Sequence, residues 1–168
     1  MRIIDALLSE LEMEAQATAR VLERVPQEHL SWKPHPKSFS LGQLALHVAT
    51  IPGMVAEMAA LDSLAPPQFV QAEAATAAEL VPALTASVAR AREVLGGFDD
   101  QAMAATWRLV ADGKELMAMP RAAVARMIML NHWYHHRGQL LVYLRMHNVP
   151  LPSVYGPTAD ENPFMTAS

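Results

Sequence analysis

The sequence predicts an all-α protein built as a four-helix bundle, and three observations carry that prediction. Four long segments repeat apolar residues at helical spacing; strong stop signals separate them; and 52% of the 168 residues are hydrophobic, enough for one substantial core. The length suits one domain spanning residues 1–168, with long crossover loops between helices and a short hairpin before the last one.

The first segment, about Arg2 to Arg24, places Ile4, Leu7, Leu8, Leu11, Ala15, Thr18 and Leu22 on one stripe, with Glu10, Glu12, Glu14 and Arg20 mostly off it. Pro26, Pro34 and Pro36 then interrupt the chain. Ser40-Leu-Gly-Gln43 matches a capping box, which opens a second helix towards Leu61. Its inward stripe is Leu44, His47, Val48, Ile51, Val55 and Met58. Pro52 lies inside it, removing one backbone hydrogen bond and crowding the Val48 carbonyl, so a kink is expected one turn after His47.

Asp62 to Ala75 reads as a crossing loop, followed by a third helix over about Thr76 to Leu95 that Gly96-Gly97 ends. Alternation around Ala111-Asp112-Gly113-Lys114, between Thr106 and Met119, predicts a hairpin with an Asp-Gly turn. Pro120 suits the first position of a fourth helix running to about His147, with Asn148 as a left-handed cap and Pro150 preventing continuation. Leu151 to Ser168 reads as an irregular tail.

Composition excludes several classes. Thirteen basic and seventeen acidic residues give a net charge of -4 without a basic cluster, which argues against nucleic-acid binding. The absence of cysteine removes disulfides, thiolate ligands and a cysteine nucleophile, leaving imidazole and carboxylate as metal ligands. No membrane-spanning run and no secretory signal are read, so the expectation is a cytoplasmic protein. There is no Gly-x-Ser-x-Gly elbow, Gly-x-Gly-x-x-Gly turn, P-loop, His-Glu-x-x-His or Glu-x-x-His, which disfavours serine hydrolase, nucleotide-binding, zincin and di-iron chemistry.

The histidines carry the functional signal. His132 and His136 stand four residues apart on the fourth helix, where their Cβ atoms are about 5–6 Å apart and two imidazoles can meet one ion. His47, inward on the second helix, is the third candidate. Three imidazoles with one open position would suit a borderline-soft divalent ion in an exchangeable, catalytic arrangement. The competing interpretation is three core histidines, hydrogen-bonded to backbone or hydroxyl groups.

His135 points about 100° away and is read as an outer hydrogen-bond partner of a ligand or as a packing residue; His29, His35 and His147 receive no role. Gly138 implies close approach by another helix or a partner subunit, or is simply tolerated. Arg137 is read chiefly as one half of a surface salt bridge, and neither it nor Gln139 is placed at the metal. Tyr155, Asp160 and Glu161 could fold back from the tail as outer hydrogen-bond partners.

Three stretches, Ser40-Leu-Gly-Gln-Leu-Ala-Leu-His47, then Asn131-His132-x-x-x-His136-Arg137-Gly138-Gln139-Leu140, then Val154-Tyr-Gly-Pro-Thr-Ala-Asp-Glu161, stand in this order along the chain. Together they resemble the DinB family of metal-dependent four-helix bundle proteins, which is unrelated to the translesion polymerase of similar name. The resemblance implies that His47, His132 and His136 hold one divalent metal, usually zinc or nickel, often in a homodimer. Related members include thiol S-transferases and thiol-dependent isomerases that use low-molecular-weight thiols. The functional expectation is therefore a metal-dependent transferase or hydrolase activating a bound thiol or water, with no residue assigned a catalytic role. The alternative is a non-catalytic stress-response or ligand-binding homodimer with a structural metal.

Overall fold

A computed structural model describes residues 1–66 and 70–165. The architecture is mostly helical with a small three-stranded sheet, so the all-α expectation is corrected by that sheet. In chain order it comprises α1 (Ile3–Leu22), α2 (Leu41–Ala60), β1 (Ser63–Leu64), α3 (Leu80–Gly96), α4 (Asp100–Ala104), β2 (Thr106–Ala111), β3 (Lys114–Pro120), α5 (Arg121–Ala123) and α6 (His132–Met146). A π-helical stretch, Val124–Asn131, joins α5 to α6. The core runs between α1, α2, α3 and α6, from Ile4 and Leu11 through Leu44, Ile51, Leu84 and Leu95 to Trp133 and Leu140.

The helix starts and stops follow local chemistry. At α2 the Ser40 hydroxyl accepts from the Gln43 amide at 3.1 Å while the Gln43 side chain accepts from the Ser40 amide at 2.9 Å, which is the capping box in full. At the end of α6, Asn148 takes φ 56° and the Val149 amide bonds back to the Leu144 carbonyl at 3.1 Å, as a left-handed cap requires. Asp112 and Gly113 both have positive φ, 50° and 73°, which closes the β2–β3 hairpin in the twist that adjacent strands favour.

Pro52 and Gly53 open the backbone of α2, and other helices answer the opening. The carbonyl of Val48, which the absent Pro52 amide would have bonded, accepts the Trp133 indole N–H of α6 at 2.8 Å. One residue on, the Gly53 amide donates to Ser87 Oγ at 2.8 Å, and that hydroxyl donates to the Thr50 carbonyl at 3.0 Å. Gly53 is required there: a Cβ would stand 2.9 Å from the Ser87 carbonyl oxygen of α3.

Four local expectations are corrected. The Asp62–Ala75 crossing loop contains β1, which pairs in parallel with β2 through Ser63 against Arg108 and Leu64 against Leu109; residues 67–69 of that loop lie outside the described residues. A two-residue strand leaves no periodic trace and exists only through its distant partner. A short helix, α4, precedes the hairpin with Asp99 capping the Ala102 amide at 2.7 Å. Pro120 ends β3 and caps α5 rather than opening the helix itself. The fourth helix is interrupted by the π-helical turns, where each turn widens by a residue just before the histidines.

Candidate metal centre

Two backbone devices converge on the histidines. His47 precedes Val48 and His132 precedes Trp133, so the bond from the Trp133 indole to the Val48 carbonyl clamps α2 to α6 immediately beside both imidazoles. Because Pro52 frees that carbonyl, the proline is part of how the site is positioned. The π-helical stretch then sets the rotation at which α6 presents His132 and His136, one turn apart.

The three rings meet. Centroids stand 5.3 Å apart for His47 and His132, 4.6 Å for His47 and His136, and 4.5 Å for His132 and His136. One nitrogen from each lies within 4.8 Å of the other two, so the set could hold a metal ion. His132 Nε2 and His136 Nε2 face each other at 2.8 Å. Two donors on one tetrahedral ion with bonds of about 2.0–2.1 Å stand roughly 3.3–3.4 Å apart, so a spread of about half an ångström would accommodate one.

The protonation pattern suits a cation. His136 Nδ1 is 2.8 Å from Gln139 Oε1, and an amide oxygen can only accept, so Nδ1 carries the proton and Nε2 presents its lone pair inward. Nδ1 of His132 is buried without a partner in normal hydrogen-bond geometry, the nearby Ile128 carbonyl one turn back being what favours a proton on that ring. The 2.8 Å between the two Nε2 atoms is a distance that a proton bridges as an N–H···N hydrogen bond and that a shared ion would take over.

All three imidazoles are held neutral. Burial, followed by the neighbouring His136 and His132, pushes His47 down to about 4, against the weaker opposite pull of the Gln71 side chain. His132 and His136 are lowered too, desolvation again being the largest cause. Neutral imidazole is the metal-binding form.

Above the rings lies a chamber of about 490 Å³, walled by Phe39, Met54, Val55, Met58, Leu64 and Ile128 with the three histidines at its base. That volume is within the range that small-molecule sites occupy.

Other predicted residues fall differently. His135 is exposed, with its ring 5.0 Å from that of His136, so it contacts a candidate ligand edge-on. Gln139, left out of the site by the sequence reading, is the hydrogen-bond partner of His136. An i, i+3 spacing from His136 on one helix was the signal that could have found it. His29 and His147 stack at 4.0 Å on each other, while the His35 ring accepts the Lys37 amide at 3.1 Å.

Arg137 corrects the surface-pair expectation outright. It is 2% exposed, pairs with Glu14 of α1 at 2.6 Å, donates to Thr18 Oγ at 3.0 Å and donates to the Tyr155 hydroxyl at 2.5 Å. Tyr155 in turn donates to Glu14 at 3.0 Å, so the tail does fold back, but onto Arg137 rather than onto the imidazoles. Asp160 pairs with Arg145, and Glu161 pairs with Arg20 at 2.5 Å, which fasten the rest of the tail. Gly138 faces open space.

Fold and site together define a mostly helical protein with three converging imidazoles on two helices beneath an apolar chamber. The comparisons agree: the profile of the DinB family matches residues 2–163, and the chain belongs to that family. It is 26% identical over 165 residues to the uncharacterized protein YrdA of Bacillus subtilis (strain 168), covering 94% of this chain and 91% of that one. Two crystal structures share the fold. A DinB-like protein (YjoA) from Bacillus subtilis has TM-score 0.67 at 21% identity, over 88% of this chain and 96% of the other. A DinB-like protein from Bacillus cereus ATCC 10987 has TM-score 0.70 at 23% identity, over 90% and 97%.

Proposed function

We propose that this chain is a metal-dependent enzyme in which His47, His132 and His136 hold one divalent ion, zinc or nickel, that activates a thiol or water as nucleophile. The observation that carries the reading is the meeting of three neutral imidazoles at the base of an open chamber. Three protein ligands leave a position for an exchangeable fourth, whereas a structural site is normally closed. A divalent ion there would supply Lewis-acid activation at neutral pH, in the manner of the thiol S-transferase-like and hydrolase-like reactions.

The chain's own residues do the rest. Gln139 keeps the proton of His136 on Nδ1, so Nε2 remains a donor. Trp133 holds α6 against α2 and keeps His47 opposite the pair. The apolar walls lower the effective dielectric beside the base, which strengthens any charge interaction made there. The thiol expected as co-substrate is of low molecular weight. A homodimer would use the outer face of α6, where Gly138 and Val142 are exposed, and sedimentation at micromolar concentration reads it.

No helix among the described residues is long and apolar enough to cross a membrane. A cytoplasmic location is part of the proposal. Elemental analysis of untagged wild type against His47→Ala, His132→Ala and His136→Ala tests the metal. One equivalent in the wild type, lost in each variant, is expected. Wild-type protein that takes up neither zinc nor nickel defeats the reading, and a loaded protein inert towards thiol-conjugation and hydrolysis substrates would return it to a structural metal.

A further inference from the structure

We propose that the chamber over the three imidazoles selects an uncharged, apolar organic substrate, and that Met54 and Met58 of α2 are the residues that set this selectivity. This deepens the enzymatic reading above and rests on it for the word substrate, though the binding claim can be measured without any metal.

Three observations carry it. First, among the described residues the walls hold no charged side chain: Phe39, Met54, Val55, Met58, Leu64 and Ile128 supply everything above the histidines. A carboxylate or ammonium held among these walls, clear of any ion on the histidines, would shed water without meeting a counter-charge, and that desolvation is far more costly than the loss of any one contact.

Second, the apolar surface is aimed inward by separate elements. Met54 and Met58 lie one turn apart on α2, Leu64 comes from β1, and Ile128 comes from the π-helical stretch. Each of these four is only partly buried, so each leaves apolar surface facing the concavity. Leu64 reaches that place only because β1 pairs in parallel with β2.

Third, the walls include two methionines, Met54 and Met58. Unbranched and polarizable, methionine repacks around ligands of different outline, so the chamber should discriminate by polarity more sharply than by shape.

The test uses Nile red, a neutral fluorophore, at pH 8 with protein both as purified and after chelation. Displacement is followed with methyl 2-naphthoate and with 2-naphthoate, which differ essentially by the charge. Nile red should bind with a blue-shifted emission in both preparations. In the chelated protein the ester should displace it at least about tenfold more effectively than the carboxylate. Met58→Glu should weaken Nile red by about tenfold or more, with Met58→Leu close to wild type; Met54→Glu provides a second charged wall should Met58→Glu fail to fold by circular dichroism.

The proposal is overturned if wild type does not bind Nile red, if carboxylate and ester compete equally in chelated protein, or if a folded glutamate variant binds as wild type does. Failure of the metal reading would look different. It would show as no zinc in elemental analysis while ester-selective binding persisted.

Discussion

Acidification of metal-free protein offers the most direct check on how the three imidazoles are buried. His47 is 3% exposed and titrates near 4 in the fold, against 6.5 for an unconstrained histidine. Its folded value is depressed, so between these two values the unfolded chain binds the proton and the folded chain does not. Stability from His47 is therefore full above pH 6.5 and is lost as pH falls towards 4. At pH 5 the unfolded chain carries almost one more proton at this residue, which costs about 2 kcal/mol relative to pH 7. For a chain of this size, about 2 kcal/mol corresponds to roughly 4–8 °C in melting temperature. His132 and His136 are depressed in the same direction and add to the slope.

The assay is urea unfolding of chelated protein at pH 7, 6 and 5, wild type against His47→Leu, which takes up no proton. The leucine variant should lose about 2 kcal/mol less between pH 7 and 5 than wild type does. Parallel stability profiles for the two proteins would refute the reasoning, because they would mean that His47 is as hydrated in the fold as out of it. Carboxylates such as Glu10, depressed chiefly by Arg126, do not interfere, since they titrate below this window and are common to both proteins.

Two further outcomes are expected. Gln139→Ala should weaken zinc binding by about tenfold, the low end for loss of an outer hydrogen-bond partner because the contact is exposed, and Gln139→Glu should restore it; competition against a chelating indicator reads both. Arg137→Met leaves Glu14 without its cation and should cost about 3 kcal/mol, or roughly 6–12 °C in scanning calorimetry, with Glu14→Gln in the same chain recovering part of the loss.

Which features were legible follows from how far apart the interacting residues are in sequence. The Ser40 and Gln43 box, the Asp112-Gly113 turn and the Asn148 cap each depend on groups within a few residues, and each stands in the structure as its local chemistry demands. The His132 and His136 pair was likewise readable, since one helical turn separates them. Its meeting with His47 was inferred from two inward stripes and a family resemblance; the distances among the rings supply the geometry. α4 escaped although Asp99 was a visible capping residue, because five residues are too few to show a period. Arg137 was misjudged for a related reason: a charged side chain on a helix is ordinarily at the surface, and only the distant Glu14, Thr18 and Tyr155 together make its burial tolerable.

By itself, the sequence determined the long helices α1, α2 and α3, the helical character of the segment that carries α6, most of the helix ends, the hairpin and the one-turn spacing of His132 and His136, because backbone capping, turn conformation and helical periodicity are short-range. Only the tertiary structure decided that Trp133 of α6 would take the Val48 carbonyl freed by Pro52, that β1 would bring Leu64 over the imidazoles, and that the tail would close on Arg137. Each of those depends on groups 18 or more residues apart, whose pairing is set by how whole elements bury their apolar faces rather than by any local preference.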